Sequence, residues 1–143
     1  MGVKAVTYKS ERDVKREIKK VLDKYGWFWF SPPANTFGVT GISDILALRA
    51  GVFLAVEAKY NGNTPTGPQK GFLETVSAES GFGFVVDEKT LPLFARWAEL
   101  FDKSAKSVET GGSVSDEDGA EMLDCIAAMT APVVAVKRRA RAS

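Results

Sequence analysis

The chain has 143 residues, a formal net charge of +1, 45% hydrophobic and 26% charged side chains, the balance of a globular domain rather than a disordered chain. Histidine is absent and cysteine occurs once, as Cys125, which excludes imidazole bases, histidine metal sites, internal disulfides and all-cysteine zinc sites. Catalysis is left to carboxylates, Lys, Tyr and hard cations such as Mg²⁺.

Ser10 is a good helix N-cap, and Asp13 three residues later resembles a capping box. Val14, Ile18, Val21, Leu22 and Tyr25 follow at helical spacing, and Gly26 ends the helix. The run Trp27-Phe28-Trp29-Phe30 reads as a short buried strand, stopped by Pro32 and Pro33. After a loop through Gly41, two strands are expected at Asp44 to Arg49 and Val52 to Tyr60, joined at Ala50-Gly51. The second is almost wholly apolar until Glu57, as a central strand covered on both faces would be. Pro68 suits the first turn of a second helix, with Phe72, Leu73 and Val76 on its apolar face. A strand from Phe82 to Asp87 and an amphipathic helix from Leu91 to Phe101 follow. Residues 104–119 are polar, acidic and rich in Gly and Ser, and read as a linker. A short helix at Ala120 to Met129 and a basic tail at 137–141 complete residues 120–143. The pattern predicts an α/β fold with a mixed sheet flanked by helices and a C-terminal appendage.

Charge is segregated behind the near-zero total. Residues 1–60 carry 10 basic and 6 acidic side chains, residues 104–131 carry 1 and 6, and residues 132–143 carry 4 basic and none acidic. Basic ends around an acidic middle suit a polyanionic partner, and equally suit ordinary solvated faces. No apolar run approaches the roughly 18 residues of a membrane span, and the single cysteine suits a reducing cytoplasm, so a cytoplasmic protein with no membrane partner is expected.

Asp44, Glu57 and Lys59 carry the chemistry. Strand periodicity puts Glu57 and Lys59 on one face. With Ala50-Gly51 as a two-residue turn, Asp44 lies directly opposite Glu57, with Cβ atoms about 4.5–5.5 Å apart. A slip of one residue sends Asp44 to the other face. Two opposed carboxylates repel unless a cation joins them, and Mg²⁺ takes one or two carboxylates plus water and phosphate oxygens. Lys59 is read as a cation that orients water and steadies a phosphate, in preference to a general base. Glu11 falls on the apolar stripe of the first helix, and Gln69 on the inner face of the second. Plainer alternatives exist: Glu11 complementing the helix dipole, Gln69 as an ordinary first-turn residue, and Asp44 as a turn-proximal acid.

Together Ser10-Glu11-Arg12, Gly41-Ile42-Ser43-Asp44, Glu57-Ala58-Lys59 and Pro68-Gln69, in this order and frame, resemble the VRR-NUC family of the PD-(D/E)XK nuclease superfamily over residues 9–88. One departure is Ser43, where the motif usually has proline before the aspartate. The resemblance implies a restriction-endonuclease-like core within residues 1–103. It implies metal binding by Asp44, Glu57 and the carbonyl of Ala58, with Mg²⁺ as cofactor and Mn²⁺ as substitute. Lys59 is then catalytic, Glu11 an outer acid near the metal, and Gln69 the family's helix glutamine. Stand-alone phage and bacterial members resemble structure-specific DNA endonucleases, including homodimeric four-way-junction (Holliday-junction) resolvases. Lys9, Lys15, Lys70 and the loop from Pro33 to Thr40 are then placed to meet phosphates of branched DNA. The rival readings are a non-catalytic DNA-binding module on the same fold and a restriction- or exonuclease-type enzyme of the superfamily.

Overall fold

A computed structural model describes residues 7–33 and 38–130. The elements run α1 (Glu11–Lys24), β1 (Phe28–Phe30), β2 (Ile45–Arg49), β3 (Val52–Ala58), α2 (Gly67–Ala78), β4 (Phe82–Val86), α3 (Leu91–Glu109) and α4 (Asp116–Met129). The strands form one mixed sheet in the order β1-β2-β3-β4, antiparallel for the first two pairings and parallel for β3 with β4. This is an α/β fold with a four-stranded mixed sheet flanked by helices, compatible with a restriction-endonuclease-like core. Among the described residues no helix is long and apolar enough to cross a membrane.

The two faces of the sheet follow from strand alternation. Ile45, Ala47, Leu54, Val56, Ala58, Phe84 and Val86 point into the main core. There they meet Val14, Ile18 and Leu22 of α1, Phe94, Trp97 and Phe101 of α3, and Cys125 and Met129 of α4. Leu46 and Ala55 point the opposite way, onto Leu73 and Val76 of α2. Ser10 caps α1 by accepting from the Asp13 N–H at 3.4 Å, but Asp13 does not close a capping box. Its carboxylate accepts from the Lys9 N–H at 2.8 Å and pairs with Arg16 at 2.9 Å.

Two expectations change. The aromatic run is not a buried strand. Trp27 is buried against Trp97 and Phe101, and Trp29 is half-buried, donating its Nε1–H to Asp23 at 2.7 Å. Phe28 and Phe30 are 69% and 45% exposed. The reason is position: β1 is a three-residue edge strand, and α2 contacts β3 and β4 on the sheet's second face, so alternate residues of β1 there stay uncovered.

The second change concerns residues 104–119, which are largely helical rather than a linker. α3 does not end at Phe101. It continues to Glu109, supported by an Asp102–Lys106 pair at 2.9 Å and by Ala105 against the core. Gly111, at φ +79°, follows the helix end. Ser115 then caps α4, and Asp116, Glu117 and Asp118 fill its first turn, where acids complement the helix N-terminus. The acidic run that resembles a linker is thus a helix start. Arg96 clamps Glu121 through two bonds at 2.6 and 2.9 Å, and Lys103 reaches Asp118 at 2.7 Å, fixing α4 along α3. The segment Val133 to Val136 and the basic tail lie outside the described residues, as do positions 34–37 of the expected phosphate-contacting loop.

The β2–β3 turn has Ala50 at φ 50° and Gly51 at φ 76°, the left-handed pair of a two-residue hairpin. Gly41, at φ +75°, touches the first turn of α2 so closely that a Cβ would lie 2.2 Å from the Pro68 carbonyl carbon. It sets the approach of the chain to Asp44. Gly41→Ala is expected to destabilise the protein by on the order of 2–4 kcal/mol, combining backbone strain with an overlap against main chain. An unchanged denaturant midpoint would contradict that contact.

Candidate metal centre

The site is assembled at the end of the β2–β3 hairpin. Ile45 pairs with Val56 and Arg49 with Val52, so the same register, continued by one residue, sets Asp44 opposite Glu57. Asp44 Oδ2 accepts from the Ala58 N–H at 2.9 Å, which pins the carboxylate across the strand pair. Ala58 is fully buried, and this N–H contact ties it to the acidic cluster.

Glu57 is 1% exposed, and its Oε2 has no hydrogen-bond partner. An isolated charge at such a position is costly. Burial first, and then the neighbouring Asp44 carboxylate, push its carboxyl up to about 8, with Lys59 pulling the other way. Lys59 Nζ stands 3.6 Å from Glu57 Oε1 and 3.9 Å from Glu11 Oε1. Its N–H donates to the Val86 carbonyl at 2.9 Å, so β4 fixes the strand beneath it. α1 delivers Glu11 from its first residue, and one oxygen each from Glu11, Asp44 and Glu57 lie within 4.8 Å of one another.

These residues fit a hard divalent cation. All the donors are oxygens, and one is a buried carboxylate oxygen with nothing to bond. Oxygens on opposite sides of Mg²⁺ lie about 4.2 Å apart, given Mg–O distances of about 2.1 Å, so small side-chain rotations close the set. Proton and cation then compete for the same Glu57 carboxylate.

The structure brings Glu11, Asp44, Glu57, Ala58 and Lys59 together. It places Gln69 in a different role. Gln69 Oε1 accepts from the Thr66 N–H at 3.0 Å, while its own N–H donates to Thr66 Oγ1 at 3.4 Å, a capping box that starts α2. Gln69 makes no hydrogen bond to Glu11, Asp44 or Glu57. Lys9 is exposed and Lys70 half-buried in the first turn of α2, and neither is ion-paired among the described residues. Lys15 is the surprise: its Nζ lies 3.1 Å from Asp44 Oδ1, inside the cluster. Its position one helical turn after Glu11 was the available signal. Ser43 is also buried, and its hydroxyl has no partner among the described residues. Comparison with protein-family models, curated proteins and solved structures returns no match.

Proposed function

We propose that the protein is a Mg²⁺- or Mn²⁺-dependent deoxyribonuclease of the VRR-NUC type, cutting phosphodiester bonds in branched DNA as a homodimer. The observation that carries the reading is the buried Glu57 carboxylate, whose Oε2 has no hydrogen-bond partner, facing Asp44 and Glu11 beside Lys59. A protein that only bound DNA gains nothing from three carboxylates turned toward phosphate.

Asp44, Glu57 and Glu11 would hold the cation, which when bound polarises a phosphoryl oxygen and makes water more acidic. Lys59, held 3.6 Å from Glu57, is positioned to orient the attacking water and to meet charge growing on the phosphate. The N–H of Ala58 keeps Asp44 in place while this happens. A four-way junction needs two symmetric cuts, and a two-fold dimer supplies them.

The test is cleavage of labelled four-way junction, flap, splayed arm, linear duplex and single strand with Mg²⁺ and with Mn²⁺. Paired cuts in the junction are expected. Lys59→Ala should reduce cleavage by about 10²–10³-fold with the circular-dichroism spectrum unchanged, the usual cost of losing one preorganised electrostatic group. No metal-dependent cutting of any substrate would reject the enzyme. Salt-sensitive DNA binding without cutting would leave a binding module.

A further inference from the structure

Lys15 has a place in this site that its exposure alone would not suggest. Its side chain is 35% exposed, yet its Nζ sits 3.1 Å from Asp44 Oδ1, while the other oxygen of Asp44 accepts from Ala58. Asp44 therefore has both oxygens engaged. Oδ1 is the Asp44 oxygen not held by the backbone, so a cation that Asp44, Glu57 and Glu11 would hold would compete with Lys15 for it. Of the two cations in the cluster, Lys15 is the one with an easy way out: its long flexible stem leaves α1 at the rim of the site. Lys59, by contrast, is 12% exposed and bonded to β4 through its backbone.

We propose that Lys15 is a resident counter-ion of the metal site, exchanged for the divalent cation and then released to contact a DNA phosphate. The inference rests on the metal-site reading above and adds its regulation. Without metal, Lys15 and Lys59 offset the negative charge of the cluster, and Lys15 is withheld from DNA. With metal, Asp44 has a better partner, and Lys15 becomes an unpaired ammonium beside the scissile phosphate. Metal and DNA then reinforce each other's binding, because each gains from the displacement of the same ion pair.

This gives Lys15 two effects of opposite sign. Lys15→Met keeps the stem and the helix propensity while removing the charge. Calorimetric titration with MnCl₂, without DNA, is expected to show about three- to tenfold tighter binding in the variant, the size of one partly screened ion pair. Anisotropy of a short labelled duplex is expected to show the reverse with Ca²⁺ present, a cation chosen for its oxygen ligands: affinity about three- to tenfold weaker than wild type. In EDTA the loss of duplex affinity should be smaller than with Ca²⁺. Equal or weaker Mn²⁺ binding by Lys15→Met overturns the proposal, as does an equal loss of duplex affinity with and without metal. Glu57→Gln separates the two levels. If the wild type binds Mn²⁺ and Glu57→Gln does not, the site stands and only the role of Lys15 is judged. If the wild type binds none, both fall.

Discussion

Glu57→Gln is expected to abolish metal-dependent cleavage and, at the same time, to make the metal-free protein more stable at pH 8. Both effects come from the same carboxylate. Burial and Asp44 raise the Glu57 carboxyl to about 8, against an ordinary value of 4.5. The folded state therefore binds a proton that the unfolded chain has already lost through this window. The stability tied to that proton is fully present below about pH 4.5 and is lost progressively as pH rises to about 8. At about 1.4 kcal/mol per pH unit, the wild type forfeits on the order of 3–5 kcal/mol over the interval from this group. Glutamine fills the same space and carries no charge, so its stability should stay nearly flat there. Mn²⁺ should restore stability to the wild type at pH 8 and do nothing for the variant. Urea melts from pH 5 to 8.5, with and without Mn²⁺, measure this directly. Parallel pH profiles for the two proteins would remove Glu57 as the source.

Ending the chain at Lys103 is expected to destroy the fold rather than trim an appendage. The cut removes the last turns of α3 and all of α4. Cys125 and Met129 are 3% and 1% exposed and belong to the same core as Phe84, Val86 and Trp97. Met122, Ile126 and Ala105 pack around its edge. Fully burying one such side chain is worth about 1.5–3 kcal/mol, and a whole domain has only about 5–15 kcal/mol in hand. The truncated chain should lose its near-ultraviolet circular dichroism, which Trp27 and Trp97 supply from the core. A smaller lesion checks the same packing: Met129→Ala should cost about 2–5 kcal/mol. A cooperatively melting chain ending at Lys103 would show that α4 is dispensable after all.

Much of the site was legible because its geometry is local. Alternation along β3 and a two-residue turn were enough to place Asp44 against Glu57, and the observed register is the expected one. The helical stripe through Val14, Ile18 and Leu22 likewise brought Glu11 to the edge of the site, 3.9 Å from Lys59. What failed depended on neighbours far away in sequence. The Trp27–Phe30 run is uniformly aromatic, so nothing in it says that α2 leaves the β1 side of one sheet face bare. The acidic composition of 116–118 is the same in a linker and in a helix start, and only Arg96 and Lys103 on α3 decide between them. Gln69 had the right face, but Thr66 three residues earlier claims its side chain. Lys15 was placed near the site, yet a pattern of spacing carries no information about which carboxylate a long flexible side chain selects.

The hairpin has a further consequence, for the order of events in folding. Asp44 and Ala58 are only 14 residues apart, joined by a tight turn, so their strands meet at low loop-closure cost. β4 must wait for the α2 crossover, and the cations of α1 must arrive from outside the hairpin. The acidic pair is therefore formed early, before Lys15 can shield it and before the sheet encloses it. In that open hairpin neither acid is yet buried, so both are charged at any pH above the ordinary carboxylate range, and their repulsion acts as a brake on the chain's own collapse. Stopped-flow refolding at pH 7 is expected to be faster for Glu57→Gln than for the wild type, and equal rates would remove the brake.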